Sequence, residues 1–259
     1  MIRSLFVAKT GLDAQQTSLD IIANNLANAS TTGYKRYKGV FEDMLYQTMR
    51  SAGTRTDGEN VAPTGLQMGT GARAAASQPI FTQGVLQRTG NPLDLAIDGN
   101  GFFRIDLGNG LVGYTRDGNF TKDAQNRLVT AMGYPVADFT IDATATAVNI
   151  AASGEVTVTL PGQSAPQQAG VLNTVTFANP GGLSAIGGNI FIETAASGAP
   201  QSGAPNAGGR GALKQFYTEG SNVNVAEELI SMIQAQRAYE INTRSIRASD
   251  EVLQKLTSL

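Results

Sequence analysis

Histidine and cysteine are both absent from the 259 residues. Without histidine the chain lacks the commonest general base near neutral pH and the commonest metal ligand. Without cysteine it has no thiol nucleophile, disulfide, iron–sulfur cluster or zinc site of the usual kinds. Ser-His-Asp and Cys-His catalysis is therefore excluded. Tryptophan is missing as well, and charged residues make up only 15%, below the roughly 25% of ordinary globular domains. The net charge of −2 gives no electrostatic case for a nucleic-acid or anionic-membrane partner. No apolar run reaches the length of a transmembrane helix, so membrane insertion is not expected. Met1–Ala8 runs into the polar residues Lys9, Thr10, Asp13 and Gln15, which is not the pattern of a secretory signal peptide. Any export of the chain would take another route.

What is present falls into two patterns. Leu5, Leu12, Leu19 and Leu26 recur every seven residues, with Ala8, Ile22 and Ala29 three residues after three of them and Gln15 as the polar exception. This heptad seam predicts one helix of about 28 residues, ~42 Å long, stopped by Ser30-Thr31-Thr32-Gly33. The other end repeats the pattern with Val225, Met232, Tyr239, Ile246 and Leu253. Leu229, Ile233, Val252 and Leu256 widen that stripe. A helix is expected over about 223–257, N-capped by Ser221 or Asn222, with Glu227 and Glu228 placed to favour the dipole. Gln15, Gln236, Asn242 and Thr243 lie in or near the seams; they read either as register-setting buried amides and hydroxyls or as solvent-facing breaks.

Between the ends the period shortens. Leu93, Leu95 and Ile97 alternate, as do Val156, Val158 and Leu160, and Ile190-Phe191-Ile192 is a short apolar run. Asn109-Gly110 and Asp117-Gly118-Asn119 signal hairpin turns. Residues 74–215 thus read as short antiparallel strands, 46–72 as an extended connection and 195–212 as a loop. The expected fold is α+β: a discontinuous coiled-coil-like domain of the two terminal helices, with a mostly antiparallel β domain inserted. The boundaries are 1–33 with 221–259 for the helical assembly domain, 34–73 for the connecting segment and 74–220 for the body. Burying the seam of one helix offsets only part of the ~1–2 kcal/mol per residue that ordering its backbone costs. The ends are therefore expected to order fully only against neighbours.

Two stretches carry a resemblance. Ala23-Asn24-Asn25-Leu26-Ala27-Asn28-Ala29-Ser30-Thr31-Thr32-Gly33-Tyr34-Lys35 resembles the N-terminal motif of the flagellar rod, hook and hook-associated axial proteins. Ser221-Asn222-Val223-Asn224-Val225-Ala226-Glu227-Glu228-Leu229, continuing through Gln236-Arg237-Ala238-Tyr239-Glu240, resembles their C-terminal motif. Phe41 to Thr48, Gly65 to Gly71, Gly99 to Phe103 and Tyr114 to Gly118 resemble further stretches of the rod members. The resemblance implies a non-enzymatic rod subunit, without cofactor or metal, that crosses an export gate unfolded and without a cleaved signal. It implies a homopolymer in which the terminal helices surround a channel and the β domain lies outside. Proximal rod subunits, the hook protein and the P and L rings are the implied partners, and the basal body, where the rod crosses the periplasm, is the implied location. Segment 46–65 corresponds to a family feature tied to a straight rod. Phe41 and Leu45 match an export motif; equally, they read as an apolar pair at helical i,i+4 spacing.

The assembly contacts expected are Leu5, Leu12, Leu19, Ile22 and Leu26 with Val225, Leu229, Met232, Tyr239, Ile246 and Leu253, with Asn24, Asn25 and Asn28 bonding across subunits. Lys35, Arg36 and Lys38 read as a solvated face or intersubunit ion pairs rather than a nucleic-acid patch. The Gly65/Gly69/Gly71 stretch has no Gly-Lys-Ser/Thr and reads as turns. Asp117, Asn119, Thr121 and Asp123 alternate like a calcium loop but lack its Gly and its closing Glu, so a hairpin is expected there. The alternatives are another rod or hook subunit, a peptidoglycan-acting hydrolase with a carboxylate pair that no motif singles out, and a fibre that forms discrete trimers.

Overall fold

A computed structural model describes residues 2–57, 60–141, 145, 147–161 and 165–257. The chain divides into two units. The first is built from Met1–Ala27, Tyr37–Gln78 and Asn224–Leu259. Its helices are α1, Ile2–Ala27, and α2, Val225–Thr257, about 39 and 50 Å long at 1.5 Å per residue. They pack against each other. α1 ends where Ser30, Thr31 and Thr32 lead into Gly33, with the Thr31 amide donating to the Asn28 carbonyl at 3.1 Å. At the start of α2, the Asn224 side-chain carbonyl accepts the Ala226 amide at 3.1 Å. The cap is therefore Asn224, not the expected Ser221 or Asn222; Asn222 spends its amide elsewhere.

The rest of this unit is ribbon. Strand Tyr37–Asp43 pairs with Ala72–Pro79, and Tyr46–Arg50 pairs antiparallel with Leu66–Gly69. Segment 46–72, expected as an extended connection, thus contains a ladder. Its polar and glycine-rich composition lacks the alternation of a half-buried strand because this ribbon buries neither face.

The second unit holds Asn28–Arg36 and Pro79–Val223. Its main sheet runs Phe120–Lys122, Arg127–Thr130, Pro135–Thr140, Phe102–Gly108, Leu111–Thr115, Ile190–Ile192, Ser184–Gly187. Thr174–Thr176 pairs with Phe102–Gly108 and with Gln201–Gly203. The last strand lies inside 195–212, so that segment is not all loop. Neighbouring side chains of a strand face opposite ways, and here the doublet Phe102-Phe103 feeds two cores. Phe103 joins Leu95, Ile97, Ile105, Phe120 and Leu128. Phe102 joins Tyr114, Val175, Phe177, Leu183 and Phe191.

The turn at Asn109-Gly110 has φ of 56° and 76°, as a tight hairpin requires. Asp117-Gly118-Asn119 does not close a hairpin. Its Gly118 carbonyl accepts the Leu95 amide at 3.0 Å, and a Cβ at Gly118 would collide with the Leu95 carbonyl. Close backbone approach, not turn chemistry, explains that glycine. The hairpin expected over the calcium-like stretch does form there: Phe120–Lys122, inside the stretch, pairs with Arg127–Thr130.

Candidate functional site

The terminal helices expose apolar surface after pairing. Within the pair, α1 buries Ala8, Ala14 and Ile22, and α2 buries Ala235 and Glu228. Leu5, Leu12, Leu19 and Leu26 are half-buried, as are Met232, Ala238, Asn242, Ile246 and Leu253. Small residues therefore dominate the contact. A Cβ on Gly11 would lie 3.0 Å from the Asn242 amide nitrogen, so the helices come close there. Val225, Leu229 and Tyr239, expected in the seam, are instead 45%, 44% and 37% exposed. Ile230, Ile233 and Ile241 are more open still, and Phe6 and Val7 are exposed on α1. Gln15 is half-buried, and Gln236 is exposed. Leu256 lies outside the residues whose side chains are described.

The asparagines have separate roles. Asn25 is 1% exposed and grips the Tyr37 backbone twice. Its amide nitrogen donates to the Tyr37 carbonyl, and its carbonyl accepts the Tyr37 amide, each at 2.8 Å. That pair copies a strand ladder bond at the helix end, so both polar atoms of Asn25 are engaged within its own chain. The Asn28 carbonyl oxygen accepts the Thr31 hydroxyl at 3.1 Å. Asn24 is exposed.

The ribbon is also apolar outside. Leu45 is 89% exposed, and Tyr46, Met49, Leu66 and Met68 are exposed around it. Phe41 lies in strand Tyr37–Asp43 and Leu45 follows it, so the two are not an apolar pair on a helix. A cavity of about 230 Å³ opens between the first turns of α1 and the ribbon, lined by Phe6, Val7 and Met68 among others.

In the second unit, where Asn28–Arg36 joins the body, residues that spacing could not connect form a buried ionic cluster. Lys35 is 1% exposed, so the expected solvated basic face does not include it. Its ammonium donates to the Glu219 carboxylate at 2.6 Å and to the Thr82 carbonyl at 2.8 Å. The Gly84 amide donates to the same carboxylate oxygen at 2.8 Å. Arg116 Nε approaches the other oxygen at 3.4 Å. Burial, and then the neighbouring Arg116 against the pull of Glu219, holds the Lys35 ammonium below the usual lysine range. Burial likewise lowers Arg116.

Asn222 continues the tie. Its carbonyl accepts the Arg36 amide, and its nitrogen donates to the Ile80 carbonyl, both at 2.8 Å. The Gly33 amide donates to the Glu219 carbonyl at 2.7 Å. Gly33 has φ of 70°, and a Cβ there would lie 2.6 Å from the Asp117 amide nitrogen. The first motif stretch thus meets Glu219, just ahead of the second, through Gly33 and Lys35, and Asn222 of the second reaches the Arg36 amide that follows the first. Lys35, Arg116 and Asn222 were visible as motif residues but carried no signal of their partners, and Glu219 carried no signal at all.

Among the described residues no group of histidine, cysteine, aspartate and glutamate could hold a metal ion. No described helix is long and apolar enough to cross a membrane.

Three family models match the chain: the flagella basal body rod protein model over residues 5–35, the flagellar hook protein FlgE/F/G D1 domain over 96–158, and the flagellar basal body rod FlgEFG protein C-terminal model over 214–259. The flagellar basal-body rod protein FlgG of Buchnera aphidicola (subspecies Acyrthosiphon pisum) is 50% identical over all of both chains. That of Caulobacter vibrioides is 45% identical, covering 100% of this chain and 99% of the relative. That of Borreliella burgdorferi is 44% identical, covering 98% and 97%.

Proposed function

From the premise that the chain belongs to the flagellar basal-body rod protein family and is a structural subunit of the distal-rod kind, we propose that it polymerises through its terminal helices into a stiff tube that transmits torque. The observation that carries this reading is the apolar surface the helix pair leaves open: Phe6 and Val7 on α1, and Val225, Leu229, Ile230, Ile233 and Ile241 on α2. Exposed apolar side chains in such number on one helix pair mark an interaction surface. A helix pair sealed mainly by small residues gains little from its own contact and more from neighbours.

In this reading the helices at 1–33 and 221–259 form the assembly domain, 34–73 connects, and 74–220 is the body. The assembly contacts divide in two. Leu5, Leu12, Leu19, Ile22, Leu26, Met232, Ile246 and Leu253 hold the pair, while Val225, Leu229 and Tyr239 meet other subunits. The apolar ribbon around Leu45, which overlaps segment 46–65, locks subunits laterally and keeps the rod straight. Phe41 and Leu45 remain accessible to an export gate. Proximal rod subunits, the hook protein and the surrounding P and L rings are the partners, with the rod crossing the periplasm after export without a cleaved signal peptide. The chain carries no catalytic role.

The test is electron microscopy of concentrated full-length protein beside the Leu229→Asp/Ile233→Asp variant. Straight tubes from the parent chain only, with unchanged far-ultraviolet dichroism at low concentration, are expected. Tubes from both would refute assembly through this face of α2.

A further inference from the structure

Two methionine sulfurs of the ribbon share one guanidinium nitrogen. Arg3 Nη1, in the first turn of α1, donates to Met49 Sδ at 3.4 Å and to Met68 Sδ at 3.6 Å. All three residues belong to the first unit, and all are exposed. Thr48 pairs with Gln67 and Arg50 with Leu66, so Met49 is the extra residue of a bulge, a device that re-aims a side chain. Met68 opposes Gln47 and borders the cavity of about 230 Å³ beside Phe6 and Val7.

A thioether is a weak acceptor, so these contacts use little of what a guanidinium can donate. A sulfoxide oxygen is a far stronger acceptor. Nη1 carries two N–H groups, one for each sulfur it now touches. Oxidation of a methionine ordinarily disrupts the apolar packing around it. Here the ribbon buries neither face, so added oxygens displace no core. Met232 is the opposite case, half-buried between the helices.

We propose that Met49 and Met68 form a paired oxidation site whose sulfoxides fasten the ribbon to α1 through Arg3. The oxidant is a peroxide. A sulfur lone pair attacks one peroxide oxygen; the S–O bond forms and the O–O bond breaks. Sulfur is oxidised by two electrons, and the peroxide is reduced. The departing hydroxide takes the proton of the transferred oxygen and leaves as water. The guanidinium charge beside both sulfurs favours that departure, because negative charge develops on the leaving oxygen. Met132 supplies the contrast. It is 63% exposed, against 55% for Met49 and 47% for Met68, but among the described residues no donor reaches its sulfur. Exposure alone would oxidise Met132 first, whereas the Arg3 contacts put Met49 and Met68 first. The site lies within one unit of one chain, so the inference is independent of assembly through the helices.

The experiment exposes dilute full-length protein to hydrogen peroxide and follows each methionine by peptide mass spectrometry. The chain unfolded in guanidinium chloride gives the reference rate for each position. Relative to that reference, Met49 and Met68 are expected to oxidise about two- to fivefold faster than Met132, the size of an exposed charge interaction. Arg3→Gln removes the lead. Limited proteolysis within 45–70 is the second readout. Oxidised parent protein is cut about two- to tenfold more slowly, because cleavage tracks the open population, and methionine sulfoxide reductase restores the original rate. Met49→Leu/Met68→Leu keeps the ribbon apolar and makes its cleavage indifferent to peroxide, which separates this pair from oxidation elsewhere. Rates that rank by exposure with Met132 first, a lead that survives Arg3→Gln, or oxidation that leaves ribbon cleavage unchanged or faster overturns the proposal. Polymer formation is scored separately by microscopy, so failure of either conclusion leaves the other measurable.

Discussion

Removing Glu219 and removing Lys35 should have unequal consequences, although they are the two halves of one 2.6 Å ion pair. Glu219→Gln leaves two buried cations with no carboxylate and weakens the acceptor for the Gly84 amide. Breaking a buried pair from that side typically costs about 3–5 kcal/mol. Lys35→Met leaves Glu219 opposite Arg116, one charge to one charge. It loses the donor to Thr82, whose carbonyl still accepts from Asn222 at 3.1 Å. The thioether chain fills most of the space of the lysine stem, so the expected cost is about 1–2 kcal/mol. For a unit of this size the melting temperature should fall by roughly 6–20 °C for Glu219→Gln and by no more than about 8 °C for Lys35→Met.

The assay needs a probe confined to the body. The chain has no tryptophan, but Tyr34 and Tyr114 are buried there, and their near-ultraviolet dichroism reports its unfolding. The pH dependence adds a second check. The folded pKa of Lys35 is depressed below 10.5, first by burial. The group therefore contributes stability that is present above 10.5 and is lost as pH falls through the folded value. Raising the pH through that window should favour the parent chain over Lys35→Met. If Lys35→Met proves as damaging as Glu219→Gln, the charge-imbalance argument is wrong.

Three further outcomes are expected. Gly71→Val should detach the ribbon from α1, because Gly71 has φ of 124° and a Cβ there would collide with Thr10 Oγ1; limited proteolysis should then cut within 45–70 faster, with about 1–3 kcal/mol of local stability lost. Asn25→Leu should cost about 2–4 kcal/mol by leaving the Tyr37 amide and carbonyl unpaired, read from the helix dichroism melt. Asp117→Asn should stabilise the body at pH 7 and lose that advantage in acid. Burial raises the Asp117 carboxyl above its usual range, so its contribution is present below the unfolded pKa and is lost as pH rises through the folded one. The asparagine keeps an oxygen for the Asn119 amide, and urea melts at both pH values decide the sign.

The helices were legible because seven-residue spacing survives on any helix, whatever it packs against. Which face pairs internally was not legible. Counting large apolar residues selects Val225, Leu229 and Tyr239, but the close approach of α1 to α2 at Gly11 favours small side chains such as Ala8, Ala14 and Ala235. Asn109-Gly110 and Asp117-Gly118-Asn119 look alike in sequence. Only the first sits between paired strands, whereas the second owes its glycine to Leu95, a residue far back in the chain. The Lys35–Glu219 pair spans 184 residues, and no local pattern encodes so distant a partner. Basic residues beside tyrosines read as surface because lysine is almost never buried unless paired; here it is paired.

The two units differ in what holds each of them. The body has two aromatic-rich cores, edge-to-face rings such as Phe103 on Phe120 at 5.1 Å, and a buried ionic cluster that needs residues from both ends of its sequence. The helix pair has mainly alanines and half-buried leucines at its contact. At ~0.8 kcal/mol per buried CH₂, an alanine returns little against the ~1–2 kcal/mol of backbone entropy that each helical residue loses. We infer that the body folds by itself, whereas the helices depend on apolar side chains that a lone chain cannot cover. Stabilising the pair from within, for example by replacing Ala235 with leucine, would push the helices apart and disturb the outward stripe. Hydrogen exchange on dilute full-length protein should therefore find strong protection in Phe102–Gly108 and Leu111–Thr115 and weak protection along α2, and α2 should become protected only in the polymer. Equal protection of both in the dilute chain would show that the pair needs no neighbours.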